Sequence, residues 1–259
     1  MPFQESNGIR YFHFEIFRDY PITQAIFTRH GGVSPSPWSS LNVGGTVGDA
    51  PDRVQENRRR VFDCVGRSLE TLHDVWQVHS AKVVQAKEPR GTMPFVQADI
   101  LISETPGITL FMRFADCVPI FLYDPQKAAI GMVHAGWLGT VRRAAEAAVQ
   151  GMIQAFGSSP GDLLAGIGPS IGPDHYEIGE DVIRQFSLSF GPIAEDFIQN
   201  RNGIHYLDLW AANQHLLEAQ GLSMIEVAGH CTVCENTDWF SHRAEQGRTG
   251  RFAALLSKE

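Results

Sequence analysis

Three short segments concentrate side chains able to do chemistry: Trp76-Gln77-Val78-His79-Ser80, Phe114-Ala115-Asp116-Cys117-Val118-Pro119, and Val133-His134-Ala135-Gly136-Trp137-Leu138-Gly139-Thr140. Each sets a soft or borderline metal donor beside constrained backbone. His79, Cys117 and His134 stand 38 and 17 positions apart, too far for a local finger, so only the fold could gather them. Gathered, they make a His/Cys/His set. Three protein ligands leave one position of a tetrahedral zinc open, the arrangement of a catalytic rather than a structural ion. Taken singly, each residue has an ordinary reading. A histidine at a strand end is commonly a satisfied polar group, and a buried lone cysteine commonly fills space.

The third segment carries a second signal. A strand ends at His134 and a helix is expected to open near Gly139. Gly136 and Gly139 would let the backbone approach a ligand, and the first amides of a helix lack intrahelical partners, so an anion could bind there beside His134. The spacing matches neither a Walker loop nor a dinucleotide fingerprint. Cys231-Thr232-Val233-Cys234 is the most conspicuous cysteine pattern, but no second CxxC accompanies it. With His230 and His242 as the nearest partners, it reads first as structural rather than metal-binding. Arg58 follows Glu56 and Asn57 on a helix. If it turns into a pocket, its planar fork suits a phosphate or carboxylate.

The elements that must position these residues are short and intermixed. Ile9 to Phe17 reads as a strand with Ile22 to Thr28 as its hairpin partner. Residues 29–51, rich in Gly, Pro, Ser and Asn, form a long loop of the kind that is usually functional. Asp52 is expected to cap a helix carrying Val54, Val61, Phe62 and Val65. Apolar runs follow at Val75–Val78, Lys82–Ala86, Ile100–Ser103, Ile108–Phe114, Val118–Tyr123 and Ala128–Val133. A helix is expected over about Gly139–Phe156, a strand over Leu163–Ile167, helices over Asp181–Phe190 and Asp208–Gln220, and a late strand over Met224–Ala228. This order is neither a strict βαβ alternation nor strands followed by helices, so the expected class is α+β, with sheets covered by helices on the outside.

Composition narrows the function classes. The chain has 259 residues, 43% hydrophobic and 19% charged, suited to one globular domain spanning 1–259. Its formal charge is 21 − 29 = −8, which argues against nucleic-acid polymers and anionic membranes as partners. The most apolar stretch, Ile108 to Tyr123, is interrupted by Arg113 and Asp116 and is too short for a bilayer. The first residues lack a basic region followed by an apolar core, so a cytoplasmic protein with reduced cysteines is expected.

Together these segments resemble the YfiH family, whose members are described both as polyphenol oxidases (laccases) and as zinc-dependent purine nucleoside phosphorylases. The resemblance runs from about Thr28 to Arg251. It is carried by TRHGGVS (28–34), SLNVG (40–44), ENR (56–58), QVH (77–79), ADILIS (98–103), ADCVPI (115–120), HAGW (134–137), GIGPSIGP (166–173), YEIG (176–179) and the closing CT…FSHR…GRTGR. It implies that the metal ligands are His79, Cys117 and His134, and that the fold is an α/β/β/α sandwich likened to the cytotoxic necrotising factor hydrolase. It further implies purine nucleosides and phosphate as substrates, with cleavage of adenosine, inosine and methylthioadenosine and deamination of adenosine as activities, by a monomer or homodimer. Asn42 and Arg58 match positions resembling phosphate or nucleoside contacts, and Asp99 is the expected proton shuttle. Copper is the alternative metal and polyphenol oxidation the alternative reaction; zinc hydrolysis of a non-nucleoside amide or ester is a further one. The chain departs from the family pattern at Ser80 (usually Gly), Leu138 (usually Arg), Asp174-His175 (usually a small or Cys pair) and His242 (commonly Tyr).

Overall fold

The computed structural model describes residues 2–258. Two six-stranded sheets face each other across a shared core, and helices cover the outer faces. The first sheet runs, in spatial order, Phe3–Ser6, Ile9–Phe12, Ile22–Phe27, Phe252–Lys258, Thr109–Phe114 and Leu72–His73. The second runs Met224–Val227, Leu164–Ile167, Val118–Asp124, Ala129–Ala135, Ile100–Ser103 and Val83–Gln85. Strands Glu177–Ile178, Ile204–Leu207 and Ile198–Arg201 make a small third sheet. The mixed α/β class and the sandwich layering agree with the expectation. No helix among the described residues is long and apolar enough to cross a membrane.

The layering follows from strand geometry. Successive side chains point to opposite faces. Phe121 and Tyr123 therefore point between the sheets, where Phe14, Met112 and Phe114 meet them, while Ile120 and Leu122 point outward onto Ala145, Ala148 and Met152 of helix Ala144–Phe156. Every residue of Val118–Asp124 and of Ala129–Ala135 is buried. That is why these strands read as continuous apolar runs rather than as alternation. On the far side, helix Pro51–Cys64 packs Val61 and Phe62 against Phe27, Phe111 and Leu255 of the first sheet.

Several elements differ from the sequence expectation. The strand from Ile9 stops at Phe12, and Glu15–Phe17 forms a 3-10 turn. Val75–Val78 forms no strand; Trp76 makes one isolated bridge to Gln97. The helix at Pro51 is not capped by Asp52. Proline opens it, with φ preset and no N–H left unpaired, and Asp52 lies in the first turn, where a carboxylate suits the helix dipole. The helix expected over Gly139–Phe156 is two pieces, Trp137–Val141 and Ala144–Phe156, divided where Arg143 takes a left-handed φ of 62°. Asn213 on helix Leu209–Glu218 donates to Thr140 Oγ1 at 3.0 Å and so ties down the first piece. Finally, Phe252–Lys258, not anticipated as a strand, is central to the first sheet, antiparallel to both Ile22–Phe27 and Thr109–Phe114.

Candidate metal centre

The second sheet brings two of the three donors together by register. Val118 pairs with Ala135 and Pro119 with His134, so Cys117, just before its strand, lies beside the end of the neighbouring one. His79 arrives from the segment after Trp76, with its backbone in the left-handed region at φ 58°. Asp116 is also left-handed, at φ 79°, a conformation uncommon for a non-glycine residue and costly unless neighbours impose it. They do impose it: Asp116 Oδ1 accepts from Thr232 Oγ1 and Oδ2 from the Arg243 amide, both at 2.6 Å. The donor atoms of His79, Cys117 and His134 lie within 4.8 Å of one another. Cys117 Sγ is 3.8 Å from His79 Nε2. On a tetrahedral zinc, bonds of about 2.3 Å to sulfur and 2.0–2.1 Å to nitrogen place S and N roughly 3.6 Å apart, so the pair fits a shared ion.

Asp99 stands behind this set. It is fully buried, and its Oδ1 accepts from His134 Nδ1 at 2.8 Å, which leaves Nε2 for the centre. Oδ2 accepts from the Ser80 amide at 2.6 Å and from Ser80 Oγ at 2.8 Å, and both oxygens accept from the Val78 amide. The Ser80 hydroxyl bond is one that a glycine could not make. Asp99 does not line the cavity described below, so the placement is that of a brace for His134 rather than of a proton shuttle. Carboxylate–histidine pairs of this kind fix the ring orientation of metal-binding histidines.

The charges are consistent with a metal-ready site. Burial raises the Cys117 thiol, but the His134 and His79 imidazoles outweigh it and bring the thiol down to about 6. Burial lowers His134, yet the Cys117 sulfur and the Asp99 carboxylate raise it to about 9. Burial also raises Asp99, and the bonds from His134 and Ser80 overcome it, to about 2. A thiolate and a carboxylate thus flank His134 at neutral pH, and a cation can take the place of its second proton.

The centre opens on a cavity of about 740 Å³, within the range of small-molecule sites. Gly136 lines it; a Cβ there would meet Cys117 Sγ at 2.7 Å and His79 Cδ2 at 3.2 Å, so glycine leaves room beside those two donors. Arg58 lines it as expected, and so do Arg113, Arg243 and Arg251. Arg58, Arg243 and Arg251 donate to backbone carbonyls and, among the described residues, have no carboxylate partner. Burial holds Arg58 and Arg251 below the usual guanidinium range and brings Arg113, despite Asp74, to about 10; an anion in the cavity would relieve this. Trp76, Phe95, Trp137 and Tyr176 supply aromatic surface.

Two expectations about ligand contacts change. Asn42 is fully buried and does not line the cavity. Its Oδ1 accepts from the Gly44 and Arg251 amides at 2.9 Å each, so it shapes the wall from behind. Gly139 lies inside the five-residue helix Trp137–Val141 and is likewise absent from the lining. The positive charge of the cavity therefore belongs to arginine side chains, not to a long helix N-terminus at Gly139. Arg113 was visible as the charge interrupting an apolar run, and Arg243 and Arg251 as members of the closing FSHR and GRTGR segments. His242 lines the cavity as its third histidine, although its spacing had marked it only as a neighbour of the CxxC pair. The CxxC residues do not complete the first centre: Cys231 and Cys234 gather with His175 in a separate group.

Known proteins share both the sequence pattern and the overall fold. The sequence model of a family described as multi-copper polyphenol oxidoreductase laccase matches residues 23–259. A Deinococcus radiodurans protein named purine nucleoside phosphorylase is 37% identical over 236 residues, 91% of this chain and 88% of its own length. Escherichia coli purine nucleoside phosphorylase YfiH is 34% identical, over 88% of this chain and 90% of its own. Among solved structures, Bacillus licheniformis YfiH superposes with a TM-score of 0.92 at 30% identity, covering 100% and 99% of the two chains. YlmD from Geobacillus stearothermophilus gives 0.91 at 33%, covering 99% and 98%. The three-donor centre, the sandwich that holds it and these similarities together place the chain in the YfiH/YlmD laccase-domain family.

Proposed function

We propose that this chain is a zinc-dependent purine nucleoside phosphorylase, acting as one catalytic domain in the cytoplasm on adenosine, inosine and methylthioadenosine. The observation that carries the reading is a His/Cys/His centre that lines the same cavity as arginines unpaired with carboxylates. His79, Cys117 and His134 would hold the ion, which when bound supplies Lewis-acid polarisation of an oxygen. Zinc suits a mixed imidazole and thiolate set with one position left open.

The rest of the chemistry belongs to the chain. Arg58, Arg243 and Arg251 hold phosphate by charge and hydrogen bonds. The aromatic wall stacks on the purine, and together they set a phosphate oxygen against C1′. The new C1′–O bond forms as the C1′–N9 bond breaks. The base leaves with the electron pair and takes a proton, for which His242 is the candidate donor in the wall. Asp99 acts as a positioning residue through His134, and Asn42 through Gly44 and Arg251.

Deamination of adenosine is the second activity this centre could support: water would add at the purine C6, and the 6-amino group would leave as ammonia to give inosine. A nucleoside panel assayed with and without phosphate separates the cases. Free base and ribose 1-phosphate appearing only with phosphate supports phosphorolysis. Inosine formed from adenosine without phosphate marks the deaminase. No turnover in either arm by zinc-loaded protein overturns the reading. Polyphenol oxidation is the rival carried by the family description; stoichiometric copper in protein made without added copper would favour it.

A further inference from the structure

The CxxC pair has a partner outside the cavity. His175 Nδ1 lies 3.8 Å from Cys231 Sγ and 3.5 Å from Cys234 Sγ, and all three donor atoms lie within 4.8 Å of one another. These separations bracket the roughly 3.6 Å that a tetrahedral zinc imposes between a sulfur and a nitrogen ligand. We propose that His175, Cys231 and Cys234 form a second metal site, distinct from the cavity centre, which takes a thiophilic divalent cation, zinc foremost.

The surroundings are built for it. The Ser170 amide donates to the His230 carbonyl at 3.1 Å, and the Thr232 amide donates to the Ser170 carbonyl at 3.0 Å, so the two donor-bearing segments are stitched together by backbone. Cys231 is buried, and its sulfur accepts from the Gly172 amide at 3.2 Å, which fixes the sulfur's position in the loop. A Cβ on Gly172 would meet Cys231 Cβ at 3.1 Å and Sγ at 3.2 Å, so glycine lets the loop close on the sulfur. Cys234 and His175 are exposed, which gives an ion a path in and leaves a fourth position to solvent. Two thiolates and one imidazole select zinc over magnesium or calcium. None of the four cysteines is in a disulfide.

The site also has a structural consequence. Thr232, between the two cysteines, holds Asp116 beside Cys117, and Tyr176, next to His175, lines the cavity. An ion here clips together the two loops that form one wall of the cavity, without touching substrate. Its role is to position that wall.

The test counts metal in full-length protein purified under reducing conditions and loaded with zinc. About two ions per chain are expected for the wild type, and about one for Cys234→Ser, whose exposed side chain carries no core packing. His175→Ala gives a second, independent loss to about one. Cobalt substitution adds a signature: thiolate-to-cobalt absorbance per chain should fall to roughly a third in Cys234→Ala/Cys231→Ala, because only Cys117 remains as a sulfur ligand. Unchanged stoichiometry in Cys234→Ser and His175→Ala overturns the proposal. So does a thiol count showing that Cys231 and Cys234 are oxidised to a disulfide in the protein as isolated under reducing conditions. Because the readout is metal content, the outcome is independent of whether the cavity performs phosphorolysis.

Discussion

The Cys117 sulfur, set between two imidazoles, dominates the chemistry at the residue scale. Its depressed thiol fixes a pH dependence. In metal-free protein the thiolate is present above about pH 6 and is lost below it, as the proton returns. Alkylation of Cys117 by iodoacetamide, followed on its own peptide, should therefore be half-maximal near pH 6; half-maximal labelling above pH 8, as for an ordinary thiol, contradicts the geometry. Asp99 makes a second prediction. Asp99→Asn keeps the shape but weakens the hold on His134 Nδ1, and zinc affinity should fall about 10–100-fold by competition with a chromophoric chelator. A loss of turnover at full metal occupancy would instead return Asp99 to a direct role in proton transfer. Arg58→Ala should raise the KM for phosphate by about tenfold or more while metal content stays unchanged, because its guanidinium lines the cavity without touching the three donors. An unchanged KM would remove Arg58 from the phosphate site.

At the scale of elements, the C-terminal strand Phe252–Lys258 matters most. It pairs on both sides within the first sheet, and Leu255 is fully buried against the helix Pro51–Cys64. Leu255→Ala should cost about 2–5 kcal/mol in urea unfolding; a cost under 1 kcal/mol would mean that this strand is not central. The sequence made other elements plain and this one obscure for physical reasons. Ile100–Ser103 and Val118–Asp124 announced themselves as apolar runs bounded by turn residues, because both of their faces are covered. Phe252–Lys258 has the same character but lies far in sequence from its two partners, and local pattern reports no long-range pairing. The break at Arg143 was hidden because Val141, Ala144, Ala145 and Ala148 keep helical spacing across it, although the backbone does not. The candidate metal donors were legible because His and Cys at the ends of apolar strands are chemically distinctive. The arginine wall was less so, since a guanidinium on a helix or loop usually faces solvent and only the tertiary fold turned Arg58, Arg243 and Arg251 inward. Asn42 and Asp99 were singled out as contacts but stand behind the cavity wall, because sequence does not distinguish a group that lines a cavity from one that holds the group that does.

For the whole molecule, two packed sheets present loops at their edges, and the candidate donors and the cavity lie where those loops converge. Strand register sets Cys117 beside His134, the loop from Trp76 adds His79, and segments near both ends of the chain bring Arg58 and Arg251 to the same cavity. In the proposed function this cavity couples the His/Cys/His centre to phosphate bound by arginine. Ribose 1-phosphate release from adenosine, measured on zinc-loaded protein against a His79→Ala control, tests it most directly. Phosphate-dependent release by the wild type is expected, with a loss of at least about a hundredfold in the control. Equal release by both proteins, or none by the wild type, would contradict it.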